Sequence, residues 1–386
     1  MTDPTVESHV PSRPLDATYL AALSAQRASI AAAVDFINSH PELAHEEIET
    51  CGYLADRLEA AGYQVRRGVA GMPTAFRAEL RGALPGRRVG VATVYDAVTT
   101  HRPDGTIEAV PACGHGPMSG GILGTALALA AISERLTGSF VVVGCPADEI
   151  HSAGTRTLGS GKAVTAAAGV WDDIDVALYA HPEFIDTVWQ RALWMRRETA
   201  IVGGHRSLVR GAPSGPMDAL RELARIADET DPARLMVETA ILDGDVEEGV
   251  GLTLTVRFLA FADTEEGLEE VMAPAHAGLE GAVWSTSSLI QAIRPDAAVT
   301  AVMADAFAAA GRTMVEDPPA LPFATDFGNV TQRVPAAIVG VGRPEGWGFH
   351  QDHGVEQFAG AEGKELAESI ATVVGLAAIR LTEPVG

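Results

Sequence analysis

Cys113 and His115 stand two positions apart in 109-AVPACGHGPMSGG-121, wrapped in glycines just ahead of an apolar helical run. A thiolate and an imidazole at this spacing suit a divalent metal, and the same residues also fit a reactive thiol or a plain Gly-rich turn. Further candidates close the apolar runs of the chain. The run 88-RVGVATVY-95 stops at Asp96, 139-SFVVVGCPA-147 at Asp148 and Glu149, and 175-DVALYA-180 at His181. If these runs are parallel strands, their ends meet on one sheet edge. Cys113 and His115, opening the helix after the first strand, then face that same edge. Thiolate, imidazole and carboxylate together are the ligand types of Zn²⁺ and similar ions. A metal that acidifies water beside a free carboxylate is suited to hydrolysis. In that reading Glu149 is a ligand and Asp148 the base. Neighbouring strand residues point to opposite faces, so the pair must lie in the turn just beyond its strand.

The elements that would position these residues follow from periodicity. Residues 16 to 63 carry apolar positions at helical spacing, with a break at His40-Pro41-Glu42-Leu43. Short β-branched runs then alternate with Ala-rich helices over 117 to 135 and 160 to 168, the signature of a βαβ sheet covered by helices. From about Arg197 the order changes to β-α-β-β-α: ETAIVGG, DALRELARIADE, ETAILDG, 251-GLTLTVRFLAF-261 and a helix from Thr264 to about Glu280. The expected fold class is therefore α/β: a catalytic domain with a central, mostly parallel sheet (1–196 and 297–386) and an inserted α+β domain (197–296). The strand 336-AAIVGVG-342 and the helix 362 to 381 return the chain to the larger sheet.

Composition sets the outer bounds. At 386 residues the chain exceeds what one simple core supports, which favours two domains. A hydrophobic share of 47% against 20% charged residues predicts a folded globular chain. The net charge of -23 excludes a nucleic-acid partner, because phosphate neutralisation needs clustered Lys and Arg. MTDPTVESHVPSRP has neither a basic start nor an apolar core, and no window predicts a membrane span. Cys51, Cys113 and Cys145 are an odd number in a large chain and fit a reducing compartment, so a cytoplasmic location is expected.

The ordered set of motifs resembles the M20 metallopeptidase and amidohydrolase family, particularly its aminoacylase-like and aminobenzoyl-glutamate-hydrolase-like branch. PELAHEE (41 to 47) is similar to the family's PELxxEE, VYDAV (94 to 98) to its YDALP, and ACGHG (112 to 116) to its ACGHN. PADE (146 to 149) stands where the family has PAEE, with AHPE (180 to 183) at the next ligand. TDFGNVTQRVPA (325 to 336) resembles TDxGNVSxxxP, and HGVEQF (353 to 358) or the preceding GFH the final ligand motif. The resemblance implies a catalytic domain with an inserted lid that usually also mediates homodimerisation, acting on small N-acyl amino acids or peptide-like substrates. It implies one or two divalent ions, Zn or Mn, held by Cys113, His115, Glu149, His181 and a C-terminal His. His353 has the better local pattern and His350 the better spacing to the closing helix. Asp96 is implied to orient a ligand, and Asp148 to activate a metal-bound water.

The chain departs from that pattern in three places. Asp148 replaces the family's Glu and is one methylene shorter. In 203-GGHRSLVRGAP-213 the register puts Leu208 where the family's lid His stabilises the oxyanion, with His205 as a shifted substitute. The Asn-x-x-Pro before the lid's last strands is missing from 243 to 257. The metal ligands are kept while the transition-state apparatus is altered. The expected activity is amide hydrolysis, with a repurposed metalloenzyme (cyclase, lyase or isomerase) as the alternative. Arg206, Arg210 and Asn329 are candidates for gripping a substrate carboxylate.

Overall fold

A computed structural model describes residues 14–102, 104–205, 215–244 and 251–384. It divides into two compact units, residues 1–190, 294–319 and 329–386 in the first and 191–293 with 320–328 in the second. The second unit starts ahead of Arg197 because its first strand already opens at Trp194.

The chain begins with α1 (Pro14–Ser24), α2 (Arg27–Ser39) and α3 (Ile48–Ala60). It then runs through β1 (Gln64–Arg67), β2 (Phe76–Arg81), β3 (Leu84–Thr93) and a small hairpin, β4 (Val98–His101) with β5 (Ile107–Val110). Next come α4 (His115–Ala131), β6 (Thr137–Gly144), α5 (Ala153–Leu158), α6 (Gly161–Ala167), β7 (Val176–Glu183) and β8 (Thr187–Trp189).

The second unit supplies β9 (Trp194–His205), α7 (Gly215–Glu229), β10 (Leu235–Asp243), β11 (Gly251–Ala262), α8 (Glu265–Gly278) and β12 (Val283–Ile290). The first unit resumes with α9 (Ala297–Ala309), α10 (Phe327–Thr331, divided between the units), β13 (Ala336–Gly342), α11 (Asp352–Ala359) and α12 (Ala361–Leu381).

Within the described residues, the first unit holds a mixed seven-stranded sheet of order β1-β2-β6-β3-β7-β13-β8. Its four central strands, β6, β3, β7 and β13, run parallel, and the outer strands are antiparallel. The central strands read as continuous apolar runs because both faces are covered. Val89, Val91, Phe140 to Val143, Val176 to Ala180 and Val339 are all buried. α4 is buried almost all round, which explains why its apolar residues show no single stripe. Its Gly121 lets α12 approach, since a Cβ there would lie 2.6 Å from the Ala367 carbonyl. Among the described residues no single helix is long and apolar enough to cross a membrane, and only the bent pair α1 and α2 together reaches that length and composition.

The second unit is a four-stranded antiparallel sheet of order β10-β11-β9-β12. Alternate residues Ala200, Val202, Leu254, Val256 and Phe258 face α7 and α8, where Leu223, Ile226, Leu268 and Met272 complete a separate core. Leu208, Arg206 and Arg210 lie outside the described residues, as do residues 245–250 of the stretch that lacks an Asn-x-x-Pro.

Candidate metal centre

The site is built where the parallel strands end. Asp96 lies three residues past β3 and is buried, and its oxygens link two other segments, those of His115 and Glu149. Its backbone carbonyl accepts a hydrogen bond from His115 Nδ1 at 2.6 Å. Its Oδ1 lies 3.3 Å from the same nitrogen, and its Oδ2 accepts the Glu149 backbone N–H at 2.9 Å. His115 is thereby oriented with Nε2 free to face the cluster, and Glu149 is fixed at its backbone. Asp148 and Glu149 lie beyond the end of β6, off the strand.

Cys113 and His115 are brought together by Gly114, the residue before α4, at φ +85°. A Cβ at Gly114 would sit 2.7 Å from Pro182 and 2.9 Å from the Phe358 ring, so both the backbone angle and the space demand glycine. His181 lies near the end of β7. Its Nδ1 hydrogen-bonds with the Pro182 carbonyl at 2.8 Å, and its Nε2 lies 3.8 Å from Cys113 Sγ.

Two groups of potential ligand atoms lie within 4.8 Å of one another: Cys113, His115 and His181, and Cys113, Glu149 and His350. Of the two C-terminal histidines, His350 is the one brought in. Its backbone N–H is tied to the Ala112 carbonyl at 2.8 Å, and its Nε2 is 3.8 Å from Glu149 Oε2. His353 sits exposed in the first turn of α11 with its ring packed on Gly348.

The donor set fits a divalent ion. It combines nitrogen, sulfur and carboxylate oxygen, and two of its buried atoms, His115 Nε2 and Glu149 Oε1, have no hydrogen-bond partner among the described residues. The electrostatics are those of a crowded, desolvated cluster. Burial pushes the Cys113 thiol well up, with the Glu149 charge adding to it. Burial, partly offset by His115, pushes Glu149 up to about 7. Burial and then His115 bring His181 down to about 4, which leaves it a neutral donor at neutral pH. His115 goes the other way. Burial disfavours its charge, but Cys113 and the carboxylates of Asp148 and Asp96 hold it well above the ordinary imidazole range.

Asp148 has a neighbourhood that sequence reasoning missed. The ammonium of Lys162, on α6 and fully buried, makes an ion pair with Oδ1, while Tyr179 donates to Oδ2 at 3.2 Å. His115 Nε2 is 3.3 Å from Oδ2. Burial alone would raise this carboxyl, but Lys162 and His115 hold it well below the usual range. Two signals were available. Tyr179 and His181 are two apart on one strand and so share a face, and Lys162 is a lone cation in the small-residue run 159-GSGKAVTAAAG-169. Asn329, offered as a substrate grip, lies on α10.

Comparison with known proteins places the chain in a family. The family model described as Peptidase family M20/M25/M40 matches residues 93–377. The chain belongs to this peptidase family, whose members are hydrolytic enzymes. It is 33% identical over 181 residues to one component of the p-aminobenzoyl-glutamate hydrolase of Escherichia coli (strain K12), covering 42% of this chain and 34% of that protein. It is 26% identical over 154 residues to N-acetyl-L-cysteine deacetylase of Bacillus subtilis (strain 168), covering 37% of this chain and 36% of that protein. The chain thus spans about a third of the length of these curated relatives.

Solved structures share the fold over far more of the chain. A putative aminohydrolase from methicillin-resistant Staphylococcus aureus superposes with TM-score 0.69 at 17% identity, over 95% of this chain and 100% of that one. A protein described as a dinuclear metal-binding M20 peptidase from Bacillus subtilis gives TM-score 0.68 at 17% identity, over 94% and 100%.

Proposed function

We propose that this chain is a metal-dependent amidohydrolase that cleaves an amide bond of an N-acyl amino acid or a small peptide-like substrate. The observation that carries the reading is the gathering of Cys113, His115, Glu149, His181 and His350 around a separate, ionised carboxylate, Asp148. Cys113 is common to both ligand groups, so the set suits one or two ions, with Zn²⁺ or Mn²⁺ matching its mixed donors. A bound divalent ion supplies Lewis-acid polarisation of the carbonyl and acidifies water.

The chain's own residues do the rest. Asp96 orients His115 and fixes Glu149, and the Pro182 carbonyl orients His181. Lys162 and Tyr179 keep Asp148 in its acceptor form and fix where its oxygens point. Asp148 takes the proton of the attacking water and passes it to the departing amine. Its shorter side chain asks for tight placement, because errors of about 1 Å cost on the order of 100-fold in rate.

The names of the relatives support an acyl amino acid substrate: one is a hydrolase of p-aminobenzoyl-glutamate, another a deacetylase of N-acetyl-L-cysteine. The three cysteines, all free thiols, support a reducing, cytoplasmic setting. The homodimer implied by the family resemblance is read as forming through the inserted unit. There Ile241, Ile201 and Val283 form one exposed row across the sheet, in register through Thr255. Light scattering behind size exclusion checks it: twice the chain mass is expected, and a monomer at micromolar concentration would contradict it.

The activity is tested by assaying the metal-loaded protein against a panel of N-acyl amino acids and dipeptides beside Asp148→Asn. Cleavage by the wild type, lowered by about 100-fold or more in the variant while metal is retained, is the expected outcome. Equal rates in both proteins would remove Asp148 from the reaction.

A further inference from the structure

The segment 41-PELAHEE-47 has no part in the chemistry described so far, yet it touches two of the segments that carry the site, those of Asp96 and Asp148. The carbonyl of Glu42 accepts the N–H of Ala97, the residue after Asp96, at 2.8 Å. Five residues on, the Glu47 side chain is wholly buried, and its Oε1 accepts the N–H of Ala147, the residue before Asp148, at 2.8 Å. Ala147 holds φ +59°, a left-handed conformation that is unfavourable for a residue with a Cβ and needs outside support. On the far side of Asp148, the Glu149 N–H is taken by Asp96. The peptide N–H groups flanking Asp148 are thus each fixed by a buried carboxyl group from another part of the chain.

We infer that Glu47 is a positioning residue: through the Ala147 N–H it holds the Ala147–Glu149 turn in its left-handed shape, and so delivers Asp148 and Glu149 to the cluster. The inference rests on the metal-site reading above. Burial first, and the nearby Asp96 charge second, push the Glu47 carboxyl up to about 8. Near neutral pH it is mostly an uncharged acid, which glutamine matches in shape and in its acceptor oxygen. Glu47→Gln therefore keeps the brace, whereas Glu47→Met fills the same space without a comparable acceptor.

The test uses the full chain and Zn²⁺ in competition with a chelator, with turnover of any cleaved N-acyl amino acid as a second readout. Glu47→Gln is expected to bind Zn²⁺ like wild type, and Glu47→Met to bind it at least about tenfold more weakly. kcat should fall by about tenfold to 100-fold in Glu47→Met with KM little changed. Adding Ala147→Gly to Glu47→Met should recover most of both, because glycine adopts the left-handed turn without help. A residue that merely fills the core would show no such rescue.

Glu47→Met that binds Zn²⁺ like wild type, Glu47→Gln as impaired as Glu47→Met, or no recovery with Ala147→Gly would each overturn the inference. If Glu47→Met fails to fold, Glu47→Asp, one methylene short of the Ala147 N–H, takes its place under the same criteria. Wild type that binds Zn²⁺ but cleaves no amide would sink the hydrolase reading and leave the affinity ranking to decide this one. Wild type that binds no Zn²⁺ overturns both.

Discussion

Lys162 is the residue whose placement most constrains the chemistry. A fully buried ammonium needs a counter-ion, and Asp148 supplies it. Removing the cation while keeping its bulk, in Lys162→Met, should raise the Asp148 pKa and shift the acidic limb of the pH–rate profile to higher pH. A limb that stays put would show that Asp148 is not the titrating base. The same variant strips the Asp148 carboxylate of its ammonium partner and leaves Tyr179 and His115 to hold it, so a loss of about 3 kcal/mol in stability is expected from denaturant unfolding.

Glu47 gives a prediction of opposite character. Its pKa is raised from 4.5 in the ordinary state to about 8 in the fold, so the folded chain holds a proton that the unfolded chain releases. Its stabilising contribution is complete below pH 4.5 and is lost as pH rises through about 8. Glutamine does not ionise. The melting temperature of Glu47→Gln relative to wild type should therefore climb between pH 5 and 8 in metal-free protein, and a flat difference would contradict the raised pKa. At this scale the ligand types were legible because Cys, His and carboxylate closed apolar runs. Lys162 was legible only as a lone cation in a small-residue run, which does not announce its partner.

At the scale of elements, the parallel strands were readable as uninterrupted β-branched runs, and their ends located Asp96, Asp148, Glu149 and His181. β2 was hidden because Arg77 is a charged residue buried within it, paired with Asp173 from a distant turn. β12, VWSTSSLI, lacks apolar alternation, and β8 spans only three residues. The choice between His350 and His353 could not be read from spacing. It depends on the turn that ties His350 N–H to Ala112, while the start of α11 carries His353 away. The tight turn at Gly114 leads to a direct expectation. Gly114→Ala meets both a left-handed φ and a collision with Pro182 and Phe358, so it should lower stability by about 2 kcal/mol and weaken metal binding together. A variant that melts and binds like wild type would show that the clasp tolerates a side chain there.

For the molecule as a whole, the separation between Asp96 and His350 in sequence is bridged by one sheet topology, shared with structures that have under a fifth of their residues in common with this chain. That topology brings together potential ligand atoms from residues that are individually ordinary in sequence. Bound metal is what this arrangement of ligands would hold, and elemental analysis of the purified wild type beside Cys113→Ala measures it. Cys113 belongs to both ligand groups, so the account predicts one or two divalent ions per chain in the wild type and a clear loss in the variant. Wild type and Cys113→Ala with equal metal content, or no metal in either, would contradict it.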